Sequence, residues 1–265
     1  MQTSYTSNPV QIPSNFLKEI PTDTNPITIE RINFAESALP EYAPYYATVL
    51  DNVLSASECA ELLRLAVLSS PTGDWAPALL NVGVGVEILE TEVRHCDRII
   101  WDDQEIVNRI WDRCLLAEGL GKELERIESQ PGVQGELAVD RGERWKMVRV
   151  NERMRFLKYG AGNYFKSHRD GAYTTPSGDQ RSFYTLHLYL NDSIENGGDV
   201  KGGATTFHSM DMMRRLDVDP KMGRVLIFQH ARLLHSGDEV HEGIKYTMRT
   251  DLMYERVIED EDDGR

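Results

Sequence analysis

Cysteine, positive charge and long apolar runs are all scarce in this sequence. Three cysteines, Cys59, Cys96 and Cys114, are spread over 265 residues without a CxxC pair. That excludes a disulfide framework and a cysteine zinc site, and it fits a reducing compartment. Lys and Arg number 29 against 43 Asp and Glu, a net charge of −14. Sequence-independent binding to nucleic acid, which rests on neutralising phosphates, is therefore disfavoured, although a local basic pocket is compatible. No run approaches the roughly eighteen apolar residues of a membrane-spanning helix. The start, MQTSYTSNPVQIPS, has neither a basic nor an apolar signal segment. A soluble, cytoplasmic or nuclear, unexported protein is expected, with neither nucleic acid nor membrane as partner. Its oligomeric state is open.

What is present is an ordinary globular composition, 40% hydrophobic and 27% charged, long enough for one large domain. Six of the eleven prolines (Pro9, Pro13, Pro21, Pro26, Pro40, Pro44) fall in the first 44 residues. Residues 1–45 therefore read as an extended arm, with ITIERINF as one edge strand. A single domain is expected over 46–256, with helical support over 55–127 and a β core over 145–256. In the support, Ser55 and Glu58 have capping-box spacing, and Cys59, Leu62, Leu63, Ala66 and Val67 recur on one helical face. A second helix starts near Asp102 and Asp103, carries Ile106, Val107, Ile110, Trp111, Cys114 and Leu115, and ends around Gly119 or Gly121. From Trp145 onward come short β-like runs: KMVRV, RMRFLKY, SFYTLHLYL, ATTFH, RVLIFQH and IKYTMRTDLMY. Their spacing predicts an all-β sandwich or barrel. Residues 257–265 form an acidic tail without apolar anchors.

His168 and Asp170 are two apart, so on a strand both side chains leave the same face and an imidazole and a carboxylate can converge on a metal. Alone, an HxD triplet carries little weight. His235, after the apolar run RVLIF, supplies a third ligand, and two histidines with one carboxylate make the facial triad of non-haem Fe(II) oxygenases. A surface histidine beside a solvated aspartate is the plainer reading of the same residues.

The surrounding motifs are YGAGNYFKSHRDG, YTLHLYLND, GGATTF and GRVLIFQHARLLHSGDEVHEGIKYTMRTDLMY. In that order, over about residues 145–256, they resemble the prolyl 4-hydroxylase-like branch of the Fe(II)/2-oxoglutarate-dependent dioxygenases. The likeness is looser from about residue 46. The resemblance implies a mainly β chain with flanking helices (α+β) and a double-stranded β-helix core, a jelly roll of cupin-like type. It implies Fe(II) bound by His168, Asp170 and His235, with 2-oxoglutarate and O₂ as co-substrates and ascorbate as an optional reductant. The implied reaction hydroxylates an unactivated C–H of a small-molecule or peptidyl substrate while 2-oxoglutarate becomes succinate and CO₂. Lys245, ten residues past His235, stands where prolyl 4-hydroxylases hold the distal carboxylate of 2-oxoglutarate. Arg249, four further along the same face, is the other candidate. Tyr159 matches a tyrosine that reaches the co-substrate, and Tyr189 has a similar place on a neighbouring strand. Thr185, His187 and Arg155 are candidates to line the pocket around the metal or face the substrate.

Plainer readings exist for several of these. Tyr159 and Tyr189 also fit core aromatics. His230, in FQHARLLH, has the wrong offset for the motif and reads as a surface or hinge residue. His95, His208 and His241 read as surface or loop histidines. Nine basic residues lie between Arg144 and Arg181, either as solvated strand faces or as a funnel for an anion. The segments GDWAPALLNVGVGVEIL, TEVRHCDRII and AYTTPSGDQR are candidates to border the mouth. The rival of a different class is a metal-binding cupin-like protein without oxygenase turnover, a hydrolase, an isomerase or a degenerate binding module. It has no need of a basic residue deep in the barrel.

Overall fold

The computed structural model describes residues 5–21, 25–83 and 86–258. Its centre is built from eight strands divided equally between two sheets, the chain crossing between them at every step except one hairpin within the smaller sheet, which makes the fold a double-stranded β-helix. In chain order the longer elements are β1 (Thr28–Arg31), β2 (Ala47–Asp51), α1 (Ala56–Ser69), β3 (Asp97–Asp102), α2 (Gln104–Cys114), β4 (Trp145–Val150), β5 (Arg153–Tyr159), β6 (Tyr164–His168), β7 (Gln180–Tyr189), β8 (Thr205–His208), β9 (Arg215–Val218), β10 (Val225–Gln229), β11 (His235–Gly237) and β12 (Lys245–Arg256). The major sheet runs β1-β2-β10-β7-β12-β5-β3 and then a two-residue strand, with β4 paired to the end of β12. The minor sheet runs β9-β8-β11-β6 and ends on the short strand Arg94–His95.

Alternation along the strands sorts side chains between two interiors. Phe156, Leu186, Leu188, Met248 and Leu252 point outward from the barrel and join α1 and α2 in the main core. The opposite faces of the same strands, Arg155, Leu157, Tyr159, Thr185, His187, Lys245 and Arg249, line the barrel interior. Register fixes their neighbours: Tyr159 stands across from Lys245 and Arg155 across from Arg249, while His187 faces Arg249 from the other side.

Both helices start where their caps predict. Ser55 and Glu58 close a capping box on α1, and Asp103 accepts a bond from the Ile106 amide at the start of α2. Two expectations are corrected. First, α2 ends at Cys114 rather than at a glycine, and Leu115 is exposed, because the chain turns there into a separate short helix, Leu120–Leu124, entered through Gly119 with φ of 85°. Second, the support is not wholly helical. DRIIWD forms β3, which pairs with β5 and buries Ile99 and Trp101 against the core.

The proline-rich start supplies one edge strand, β1, as ITIERINF suggests. Otherwise it packs rather than extends. Phe16 and Leu17 enter the main core, and Phe34, Leu39 and Tyr42 close one end of the barrel with Phe207 and Phe228. Proline removes backbone donors but leaves these apolar side chains free to bury. Of the acidic tail, residues 259–265 lie outside the described residues. Among the described residues no helix is long and apolar enough to cross a membrane.

Candidate active site

The β6–β11 pairing brings His168 opposite His235, and the loop after β6 turns Asp170 inward. The strand itself stops at His168, so Asp170 reaches the site from a loop rather than from the strand position its spacing suggests. One ligand atom from each of His168, Asp170 and His235 lies within 4.8 Å of the others. The Nε2 atoms of His168 and His235 stand 3.6 and 3.8 Å from the two Asp170 carboxylate oxygens.

Tautomers follow from the backbone. The His168 Nδ1 sits 2.8 Å from the Lys166 carbonyl and the His235 Nδ1 3.2 Å from that of Leu233. A carbonyl only accepts, so each Nδ1 carries the proton and each Nε2 keeps a lone pair aimed at the common centre. Burial pushes the His235 pKa down to about 3, which keeps its imidazole neutral and ready to ligate. Burial opposes ionisation of Asp170, but the Arg249 guanidinium, 3.0 Å away, and the two histidines together outweigh it and hold the carboxyl well below its usual range. The Thr185 hydroxyl donates to the other Asp170 oxygen at 2.6 Å. Two neutral imidazoles and an oriented carboxylate on one face fit a divalent iron with open positions.

Deeper in the barrel, Lys245 is 1% exposed and donates to the Gly203 carbonyl at 2.6 Å. Among the described residues it has no carboxylate partner, and burial lowers its pKa to about 8. Its ammonium lies 4.9 Å from the Tyr159 ring. A Cβ on Gly203 would come within 3.1 Å of the lysine stem, and the φ of 71° there is one that glycine adopts without strain. The Nε2 of His187 is buried in the same chamber and, among the described residues, has no partner. A buried cation and an orphaned imidazole facing one space leave donor and acceptor capacity for a carboxylate-bearing co-substrate.

Residues 154–250 match the family model of the 2OG-Fe(II) oxygenase superfamily. The barrel is a 2OG-Fe(II) oxygenase, prolyl 4-hydroxylase-like in fold. Among solved structures, a Pseudomonas putida prolyl-4-hydroxylase is 15% identical, with a TM-score of 0.50 over 85% of this chain and 100% of that one. A prolyl hydroxylase from Trichoplax adhaerens, solved with a peptide fragment of the hypoxia inducible factor oxygen degradation domain, is 14% identical, with a TM-score of 0.51 over 83% of this chain and 85% of that one. At such identity these likenesses speak for the fold alone. No curated protein matches the sequence. The oxygenase is a 2-oxoglutarate-dependent dioxygenase that uses Fe(II), 2-oxoglutarate and O₂.

The oxygenase places most of the sequence-derived candidates together. Arg155, Tyr159, Thr185, His187, Lys245 and Arg249 all line the chamber with the two histidines and Asp170. Tyr189 does not line it. Its hydroxyl donates to Thr205 Oγ1 at 2.7 Å, and its ring packs among Phe34, Phe207 and Phe228. On this geometry, Tyr189→Phe should leave 2-oxoglutarate affinity within about twofold. Stability should fall by about 1–3 kcal/mol, because Thr205 loses its buried partner. Co-substrate titration beside urea denaturation separates the two effects, and a tenfold loss of affinity would return Tyr189 to the co-substrate.

Three histidine assignments divide. His241 is exposed as expected. His208 is instead buried against Ser236, its Nε2 2.7 Å from that hydroxyl. His230 is also buried, 3.5 Å from Asp251, so it is not a surface residue. The basic stretch disperses: Arg149, Arg153 and Arg155 pair with Glu152, Asp102 and Asp251, while Lys158 and Lys166 lie over the Trp75 and Tyr164 rings. Two participants escaped the sequence reading. Asp251, which pairs with both Arg155 and Arg249, was accessible by extending the period-2 face of β12 from Lys245 and Arg249. Arg94 lies in TEVRHCDRII, a segment expected to border the mouth, but no pattern within it singles out this residue.

Proposed function

We propose that His168, Asp170 and His235 hold Fe(II), that Lys245 takes the distal carboxylate of 2-oxoglutarate, and that the substrate approaches through the cleft outside the chamber. The observation that supports this best is Lys245, a desolvated ammonium with, among the described residues, a single carbonyl partner in a chamber that also holds the triad. A cupin-like site without co-substrate has no use for such a cation, since an unpaired buried charge costs stability. When bound, iron and 2-oxoglutarate supply the O₂ activation that a protein side chain cannot.

The chain's own residues orient and exclude. The Lys166 and Leu233 carbonyls fix the two imidazoles, Thr185 and Arg249 fix the carboxylate, and Lys245 sets the depth of the co-substrate. Tyr159 and Leu157 keep the inner wall dry. Arg94, Arg155 and Arg249 border both the chamber and an outer cleft of about 990 Å³, so the two communicate. That cleft is walled by the Leu80–Gly83/Val86–Ile88 hairpin and by the loop after Asp170. Its size suits a small metabolite or a short peptide segment, and hydroxylation of an unactivated C–H is the reaction proposed.

The reconstituted protein should release succinate from 2-oxoglutarate only with Fe(II) and O₂, slowly alone and faster with a substrate. Amino acids, prolyl peptides and small metabolites can be screened by that stimulation. Absence of iron-dependent succinate under all conditions would favour the binding-module alternative.

A further inference from the structure

Arg94 sits where the chamber meets the outer cleft and lines both. Its strand pairs with β6 at Phe165. The guanidinium carbon lies 4.7 Å from the Phe165 ring centre, and that ring stacks in turn on His168 with centroids 3.7 Å apart. The Arg94 Nε points at Cys96 Sγ, 3.4 Å away. Among the described residues its two terminal nitrogens donate to nothing.

The other arginines of the cleft are all engaged by acids: Arg98 by Glu87 at 3.2 Å, Arg153 by Asp102 at 2.7 Å, Arg155 by Asp251 at 3.1 Å and Arg249 by Asp170 at 3.0 Å. Around the chamber, Arg94, Arg155, Lys245 and Arg249 face the single carboxylate of Asp170, with Asp251 behind it. Fe(II) and the 2-oxoglutarate dianion bring equal and opposite charge. Loading the site therefore leaves the surplus of fixed positive charge where it was.

We propose that the substrate carries a carboxylate or phosphate, and that Arg94 receives it through its two free terminal nitrogens. The inference rests on the oxygenase reading of the chamber. Stacking on Phe165 fixes the plane of the guanidinium, so its fork is organised before the anion arrives. Because the stack continues onto His168, the anion is held close to the reacting carbon and not at a remote part of a long substrate.

The test is calorimetric titration of the Fe(II)- and 2-oxoglutarate-loaded protein under argon. The probes are matched pairs: N-acetylglutamate against N-acetylglutamine, N-acetylaspartate against N-acetylasparagine, and phosphoserine against serine. The same residues are also presented in capped pentapeptides, to separate a free acid from an acidic side chain in a chain. At least one anionic probe should bind tenfold or more tighter than its neutral partner. Arg94→Gln should reduce that preference to twofold or less, and Arg94→Lys should retain part of it, with 2-oxoglutarate affinity unchanged in both. Absence of any anionic preference, or its survival in Arg94→Gln, overturns the proposal. A parallel loss of 2-oxoglutarate affinity in Arg94→Gln also overturns it, by moving Arg94 to the co-substrate. Failure of the wild-type protein to take up 2-oxoglutarate would instead overturn the oxygenase reading beneath it.

Discussion

His235→Ala should lose most of the protein's Fe(II) and all of its 2-oxoglutarate turnover while keeping the fold. His235 is buried in the barrel, its Nδ1 committed to the Leu233 carbonyl and its Nε2 turned toward Asp170. Removing it leaves two protein ligands where an open site needs three. The fold should survive with a modest loss of stability, because the ring sits at the chamber wall and packs on Phe228 and Phe207 at the edge of the barrel-end core. His168→Ala and Asp170→Ala should behave alike. Asp170→Ala should also lower stability, since Arg249 then keeps only Asp251 as a carboxylate partner. Anaerobic reconstitution followed by metal analysis, with circular dichroism on the same samples, checks all three. A His235→Ala protein that kept stoichiometric iron would sink the assignment. His230 offers no ready substitute, for it is buried against Asp251 on the far side of Arg249.

The legible parts of this molecule are those with a short physical period. Strand alternation put Lys245 and Arg249 on one face and Thr185, His187 and Tyr189 on another, and the register of β12 with β5 and β7 preserves both groupings. Caps located the starts of α1 and α2 because a cap is written in three or four adjacent residues. Contacts between distant segments were not legible. Nothing in DRIIWD distinguishes a strand from a loop until β5 is beside it to accept its hydrogen bonds. Tyr189 shares a face with Thr185 and His187, yet its hydroxyl is captured by Thr205 on the other sheet, a partner that the order of residues does not name. Arg94 likewise acquires meaning only when β6 pairs with its strand and slides Phe165 beneath it.

Lys245→Ala should weaken 2-oxoglutarate binding by at least tenfold, and by more than Arg249→Ala does. Truncating one side of a desolvated charge pair typically costs about 2–5 kcal/mol, and among the described residues Lys245 is buried with the Gly203 carbonyl as its sole hydrogen-bond partner. Arg249 is already occupied by Asp170 and Asp251. Its loss should therefore show first in iron affinity, through a loosened carboxylate. The reverse ranking would move the anchor to Arg249. The pH dependence gives a second, independent signature. In the free protein the ammonium persists below about 8 and is lost above it, so co-substrate affinity should hold at neutral pH and fall as pH rises through that value, a limb absent from Lys245→Ala. The same burial has an opposite consequence for folding. An unfolded lysine stays charged to about 10.4, so the charged Lys245 costs stability below about 8, a cost relieved as pH climbs toward the unfolded value. Lys245→Met should accordingly melt higher than the wild type at pH 7 without co-substrate, and lose the stabilisation that 2-oxoglutarate confers. A variant less stable than wild type would mean that the ammonium holds the barrel together through Gly203, and does not wait for a carboxylate.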